Sequence, residues 1–365
     1  MKNKSVFLVV FFLFIYCCKK TEKQTTIKGN IPNLPDGTVY LFKDYPGNRI
    51  DSTKSKNGIF TLTHQWENNE PVYIGIDHID KNGVNRFFSF TTKAKYKGIP
   101  GWGTSVFLSD SNIIMNGDLN YNTYIGITFP DDKKPVIGPP LITGRQTEAY
   151  YNIDGDLFEN INQNTFKIVK EKLGTYPDSY YLLYKIGENK NSFSAQQLED
   201  FLKLFKGEIT QSDTYKKLYA YNQKRFNEKK ISVPLLENDK GARTKIIDPK
   251  YKKHLIIFWA SWCGPCREEI PLLKKMYPLY NNETEFISIS IDNDKLAWQK
   301  ALKQENMTWK QLFVGDTGMD HEALQIHFKL NQAIPYTILI DDNMKILSSS
   351  TGLSNEENLK KLINK

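Results

Sequence analysis

A chain of 365 residues, 40% hydrophobic and 25% charged, has room for more than one domain and is too apolar to be largely disordered. The formal net charge is +8, but the basic residues are scattered singly and in pairs with no arginine-rich stripe, which argues against nucleic-acid binding and reads as a lysine-solvated surface. Four cysteines in this length do not make a disulfide-stapled scaffold, because a core of this size needs no staples.

The chain opens on Met1-Lys2-Asn3-Lys4, then the apolar run from Val6 to Tyr16, then Cys17-Cys18-Lys19-Lys20. The run is too short to span a membrane and has the form of a signal-peptide core. With Cys18 as the lipidated first residue of the mature chain, small Cys17 falls at −1 and Ile15 at −3, with Tyr16 an unusual residue at −2. With Cys17 as acceptor, bulky Tyr16 falls at −1. The expectation is a signal peptide over 1–17, lipidation at Cys18 and a flexible tether over 18–26. Lipidation at Cys17, an uncleaved anchor and plain secretion are the alternatives. Cys263 and Cys266 would then be the only thiols of the mature chain.

Residues 27–147 read as β-rich. Thr26–Ile31 and Gly37–Phe42 alternate around a Pro32–Gly37 turn, and Asn57-Gly58 before Ile59–Leu62 is a hairpin signal. Pro71–Ile76, Phe87-Phe88, Val106–Leu108, Ile113–Met115 and Tyr124–Ile127 continue the pattern towards a β-sandwich-like domain, with a loop insertion at Tyr96–Gly103. From 148 to 230 the spacing turns helical: Phe158–Leu173, Asp178–Ile186, a helix capped at Ser194 and ending at Phe205, and Asp213–Phe226. This segment reads as a helical connector, with Tyr180, Tyr181 and Tyr184 as packing residues. Residues 231–365 alternate strand and helix, which argues for an α/β sandwich. Its elements are strand Leu255–Phe258, helix Cys263–Tyr280 with a candidate kink at Pro271, and strand Glu285–Ile291. Helix Asp294–Glu305, strand Gln311–Val314 and helix Asp320–Phe328 follow. Two strands after Pro335, the second over Met344–Leu347, and a helix capped at Ser354 complete it.

Trp262-Cys263-Gly264-Pro265-Cys266 sits between the apolar strand and the following helix. A helix beginning at Cys263 places that sulfur over unpaired N–H groups and the positive end of the dipole, both of which stabilise a thiolate. Cys266, one turn on, can close a disulfide with Cys263, so one sulfur can attack a substrate disulfide and the other resolve the mixed disulfide. A zinc site of the same spacing needs two further ligands, and the five histidines (His64, His78, His254, His321, His327) form no metal-ligand pattern. No metal and no cofactor is expected.

The run from Phe258 to Pro271, followed by Ile334-Pro335 and a strand–turn–strand, resembles the thioredoxin superfamily. More narrowly it resembles the membrane-anchored bacterial thiol–disulfide oxidoreductases of the TlpA/ResA type, over about 232–365. The resemblance implies an α/β thioredoxin-like C-terminal domain with a four- or five-stranded mixed sheet. It also implies a cis Ile334-Pro335 bond beside the cysteines, and a substrate-binding face made of Trp262, Gly264, Pro265, Ile334 and Pro335. In thioredoxin a buried acid lies six residues before the first cysteine; Ile257 stands there in this chain, so that proton relay is absent. A glutamate three residues after the second cysteine takes a similar place in the TlpA/ResA branch, and Glu269 matches it. The expectation is a partly buried Glu269 with a raised pKa exchanging a proton with Cys266, against the blander reading of a solvent-facing helix glutamate. Trp259 is expected in the core and Trp262 half-exposed.

The Gly264-Pro265 pair matches the reducing thioredoxin motif, for which a potential of about −270 mV is typical, so a reductant is favoured over an oxidant. The family implies a transmembrane thiol-transfer protein as electron donor, and disulfide-containing envelope proteins, cytochrome c maturation among them, as targets. It implies a periplasm-facing lipoprotein held to the membrane through its lipid anchor. The N-terminal region resembles the small β domain of uncharacterised role that precedes thioredoxin-like domains in bacterial lipoproteins. The alternative is a redox-gated binding or sensing lipoprotein whose N-terminal domain docks a partner; a peroxidase fits the CxxC helix less well.

Overall fold

The computed structural model describes residues 23–121, 129–353 and 355–365. The expected signal peptide, Cys17 and Cys18, the expected strand Tyr124–Ile127 and the expected cap Ser354 lie outside them. The chain divides into two compact units: the described residues up to Lys93 with Gly101–Tyr151, and Ala94–Pro100 with Asn152–Lys365.

The first unit is a β-sandwich. One sheet runs in the order Leu141–Ile142, Asn112–Asn116, Lys23–Asn30, Ile59–Trp66. The other runs Asn120–Tyr121, Lys133–Ile137, Asn85–Thr91, Tyr73–Asp80, Gly37–Lys43, Arg49–Ser55, with Phe107–Leu108 and Gly103–Thr104 paired off that path. Alternate residues of Asn112–Asn116 and Asn85–Thr91 are buried, as expected of strands with one face on a core. Ile27, Leu62, Ile113 and Met115 from the first sheet meet Val39, Leu41, Ile76 and Phe88 from the second in one apolar cluster. Lys23–Thr26, expected as the end of a tether, is instead the start of the first strand.

Asn57-Gly58 does turn the chain, with φ of 52° and 75°, but the ladder stops after the single bridge Lys56↔Ile59. The strands on either side belong to different sheets. Glycine is required here twice over: for the positive φ, and because a Cβ would stand 2.0 Å from the Ile31 carbonyl oxygen. Arg49–Ser55 escaped the sequence reading because it is an edge strand, polar and mostly exposed on both faces. A short helix, α1 (Arg145–Tyr151), closes the unit.

The second unit carries helices α2 (Gln163–Thr175), α3 (Tyr180–Glu188), α4 (Ala195–Leu202) and α5 (Asp213–Arg225). Ser179, Ser194 and Ser212 cap α3, α4 and α5 by accepting backbone N–H groups, and Gln197 completes a capping box with Ser194. The first of these helices begins later than expected, at an Asn162 cap, and α4 ends at Leu202 rather than Phe205. The expected loop insertion splits: Lys95–Tyr96 pairs with Ile99–Pro100, and this hairpin is tied to Asp154, Asp156 and Glu159 by the Lys95 and Lys97 amides and the Tyr96 hydroxyl. The helices of the expected connector fall within the same compact unit as the C-terminal sheet.

The sheet of this unit has seven strands, two more than the resemblance implied. Its order is Arg243–Thr244, Leu236–Asn238, Lys310–Phe313, Thr284–Ser290, Lys253–Trp259, Tyr336–Asp341, Ile346–Thr351. The first two form an antiparallel hairpin added to the edge of the five-stranded core. Lys253–Trp259, Thr284–Ser290 and Lys310–Phe313 are parallel, and Tyr336–Asp341 runs antiparallel to Lys253–Trp259. The returning strand starts at Ile346 rather than at Met344, and its register shifts between Ile346 and Ser348. Helices α6 (Gly264–Tyr280), α7 (Lys295–Glu305), α8 (Gly318–Phe328) and α9 (Glu356–Ile363) cover both faces. Along the central strand, Ile256 and Phe258 pack with Trp298 and Leu324 of α7 and α8, whereas Leu255 and Ile257 pack with Leu273 and Leu359 of α6 and α9. A strand buried on both faces explains its continuous apolar run. Helix α9 is capped by Asn355.

Candidate active site

The strand Lys253–Trp259 delivers the chain to Ala260, whose carbonyl accepts the Cys263 N–H at 3.1 Å. Cys263 has extended backbone angles and caps α6; its sulfur accepts the Cys266 N–H at 3.2 Å. Gly264 and Pro265 form the first turn, where proline's missing N–H costs nothing. Pro271 and Pro278 both lie inside α6. Cys263 and Cys266 are joined in a disulfide with Cα atoms 5.3 Å apart, and both are buried. Trp262 beside them is 64% exposed, whereas Trp259 is buried. Gly264 and Pro265 are exposed, and no atom beyond the neighbouring chain lies within 4 Å of where a Gly264 Cβ would stand.

The Ile334-Pro335 bond is cis. The Ile334 carbonyl oxygen lies 3.8 Å from Cys263 Sγ, so the residues expected to form the substrate face are brought together with the dithiol. Pro335 is buried and Ile334 half-buried.

Glu269 is buried and Glu268 exposed, which removes the blander reading of Glu269. Burial holds the Glu269 carboxyl above the usual carboxylate range, against a Leu353 N–H bond that favours the charged form. The other oxygen, Oε2, is buried without a hydrogen-bond partner. The preceding amide, of Gly352, donates to the Pro335 carbonyl at 3.0 Å. Two successive N–H groups at the end of the last strand thus hold the cis-proline and the glutamate together. Ile257, where an acid would stand in thioredoxin, is buried in apolar packing.

One residue of the site was not anticipated. Asp292 is fully buried just past the strand Thr284–Ser290. Its carboxylate accepts the Ser261 N–H at 3.0 and 2.9 Å, the Ser261 hydroxyl at 2.6 Å and the Ser290 hydroxyl at 2.7 Å. It thereby pins the loop that presents Trp262 and Cys263. The available signal was an acid directly following an apolar strand parallel to the one that bears the motif.

The arrangement suits thiol–disulfide exchange: a helix N-terminus for the thiolate, a resolving cysteine one turn away, a buried carboxyl on the same helix, and an exposed aromatic beside a strand-like edge. Among the described residues no group of three or more His, Cys, Asp or Glu side chains could hold a metal ion, and no helix is long and apolar enough to cross a membrane.

A family model described as Redoxin matches residues 224–363, and a domain of unknown function, DUF4369, matches residues 25–128. Thiol-disulfide oxidoreductase ResA of Geobacillus thermodenitrificans is 25% identical over 127 residues, 34% of this chain and 70% of that protein. ResA of Bacillus subtilis is 26% identical over 123 residues, 33% of this chain and 65% of that protein. Among solved structures, a thiol-disulfide oxidoreductase from Bacteroides fragilis is 30% identical, covers 36% of this chain and 99% of its own, with a TM-score of 0.30. The thioredoxin domain of a Bacteroides vulgatus thiol-disulfide oxidoreductase is 25% identical, covering 37% and 97%, with a TM-score of 0.31.

Proposed function

We propose that this chain, whose residues 224–363 match the Redoxin family model and which is 25% identical over 127 residues to a ResA thiol-disulfide oxidoreductase, is a lipid-anchored reductant of protein disulfides in the cell envelope. In this reading the Cys263 thiolate attacks one sulfur of a substrate disulfide, forming a mixed disulfide and releasing the other substrate sulfur as a thiolate that takes up a proton. Cys266 then gives up its proton to the Glu269 carboxylate and attacks Cys263 Sγ. That step releases the second substrate thiolate, which is protonated in turn, and closes the Cys263–Cys266 disulfide. The substrate gains two electrons and two protons, and the enzyme must be re-reduced by a dithiol donor, which at an envelope location is a transmembrane thiol-transfer protein.

The observation that carries this reading is the Cys263–Cys266 disulfide capping α6 with its Cys263 sulfur 3.8 Å from the Ile334 carbonyl. Bound substrate backbone would pair with the Ile334-Pro335 edge while Trp262 covers its side chains. Lipidation at Cys18 and periplasmic exposure rest on the N-terminal sequence pattern alone.

The deciding experiment is a dithiothreitol or glutathione redox titration of the chain from Lys19 onward. A midpoint near about −270 mV supports a reductant, and one above about −200 mV would point to an oxidase or isomerase instead. Intact mass of the mature N-terminus from a labelled membrane fraction tests the anchor: a diacylated or triacylated Cys18 supports it, and a mature chain without lipid ends it.

A further inference from the structure

Between the two matched regions lies a stretch, 129–223, to which nothing above gives a chemical role, and the 3-10 turn between its helices α3 and α4 is hydrogen-bonded to the active-site loop. After α8 the chain turns at Lys329, with φ of 54°, and runs through Leu330 and Asn331 to the cis Ile334-Pro335 bond. A loop of this kind has little regular hydrogen bonding of its own, so its shape depends on what holds it. Its far end is held by the Gly352 amide, and its near end, at Leu330 and Asn331, by a 3-10 turn, Lys190–Ser192, directly after α3.

Three hydrogen bonds cross between turn and loop. Asn191 Nδ2 donates to the Leu330 carbonyl at 2.8 Å, the Asn191 N–H donates to Asn331 Oδ1 at 2.9 Å, and Asn331 Nδ2 donates to Ser192 Oγ at 2.8 Å. Asn191 and Leu330 are both buried, so water is a poor substitute for the bond between them, whereas the Asn331–Ser192 bond is exposed. The turn is itself braced from behind. Tyr221 of α5 donates its hydroxyl to Asn191 Oδ1 at 2.9 Å, and the Arg225 guanidinium donates to the Lys190 and Phe193 carbonyls at 2.9 and 2.6 Å. Lys190 Nζ reaches Gln325 Oε1 on α8 at 3.0 Å. The Asn191 carboxamide donates to Leu330 through Nδ2 and accepts from Tyr221 through Oδ1 at once.

We propose that Asn191 is a positioning residue for the substrate edge: the helical segment sets the geometry of the Ile334-Pro335 loop through the Asn191–Asn331 clasp, and so sets affinity for protein disulfides. Asn191 touches neither sulfur, so the clasp governs docking of a peptide backbone and leaves the dithiol's own reactivity alone. The inference rests on the reductase reading for its effect on turnover, but not for its effect on the loop.

The test uses the full mature chain carrying Asn191→Ala or Asn331→Ala, with Tyr221→Phe as a milder variant that keeps the packing. KM and kcat are measured for insulin reduction with dithiothreitol as donor, beside the rate of the reduced protein with Ellman's reagent and the midpoint potential. The expected result is a KM for insulin raised about five- to tenfold by the first two variants and about twofold by the third. The kcat, the Ellman rate and the potential stay as in the parent. Hydrogen exchange of the amides of residues 330–334 is read in parallel, and is expected to quicken at least about tenfold in Asn191→Ala. A KM within twofold of the parent in folded Asn191→Ala, or a potential that moves with the KM, overturns the proposal. If Asn191→Ala and Asn331→Ala fail to fold, Tyr221→Phe decides alone: unchanged KM and unchanged exchange both count against the clasp. If the parent reduces no insulin, the reductase reading fails by itself, and the exchange rates still decide whether Asn191 holds the loop.

Discussion

Both units of this protein bury ionisable side chains, and they do so to different ends. In the sandwich, Asp77 is paired with Arg49, Asp80 with Arg86, and His78 with Ser55. Burial and the Arg86 charge push the His78 imidazole down to about 4, and burial pushes Asp77 up. In the C-terminal unit, Asp292 spends its hydrogen-bonding capacity on the loop before Cys263, and Glu269 sits one turn from Cys266 with an oxygen to spare. A shifted pKa therefore does not by itself distinguish the two regions. What does is whether the buried groups lie beside the disulfide, on the loop before Cys263 and on the helix that carries Cys266, or away from it.

That contrast can be broken first at the sulfurs. Cys263→Ser is expected to lower insulin reduction by at least about 10³-fold, while Cys266→Ser should accumulate mixed disulfide visible on non-reducing gels. If a His78 or Asp77 substitution that leaves the chain folded lost as much, the sandwich would hold part of the chemistry and the comparison would fail.

Next in size is a pH effect centred on His78 of the sandwich; burial lowers the His321 pKa in the C-terminal unit in the same direction. The folded state holds His78 neutral down to about pH 4, whereas the unfolded chain takes up a proton near the ordinary value of 6.5. Stability is therefore full above pH 6.5 and falls as pH drops to 4, by about 3 kcal/mol across the window. Urea unfolding at pH 7 and pH 4 should show the sandwich transition move more than that of the C-terminal unit. His78→Gln should flatten it.

Asp292→Ala should destabilise the C-terminal unit by about 2 kcal/mol, since it leaves the buried Ser290 hydroxyl and the Ser261 amide short of an acceptor. It should also slow the Ellman reaction of Cys263, which a purely structural lesion elsewhere in the sheet would not do. The smallest effect belongs to Glu269→Gln. Because the folded state raises the Glu269 pKa, burying its charge costs stability above that pKa and the cost is relieved as pH falls through it. Gln removes the cost, so thermal stability at pH 7 should rise slightly while resolution of the mixed disulfide slows. Unchanged resolution across pH 5–8 would leave Glu269 without a part in proton transfer.

The catalytic strand and helix, the cis-proline position and the glutamate were legible because their signals are local: an apolar run, two cysteines three apart, a proline before a strand, an acid one turn on. The helix cap at Ser194 was legible for the same reason. Asp292, Asn191 and the hairpin Leu236–Thr244 were not, because each acquires its meaning from a partner far along the chain: Ser261 is 31 residues from Asp292, and Leu330 is 139 from Asn191. The sandwich was legible as a class but not in its connections. Asn57-Gly58 carries every sign of a hairpin, yet the flanking strands part into separate sheets, Arg49–Ser55 pairing with Gly37–Lys43 and Ile59–Trp66 with Lys23–Asn30.

The adjoining amides of Gly352 and Leu353 have a practical consequence for anyone moving this chemistry to another scaffold. One holds the Pro335 carbonyl and the other the Glu269 carboxylate, so the cis-proline edge and the buried carboxyl share a single pitch of backbone. The smallest transplantable catalyst is then three segments in register, 261–269, 334–335 and 352–353, and a graft of the cysteine motif alone would carry the sulfurs without their setting.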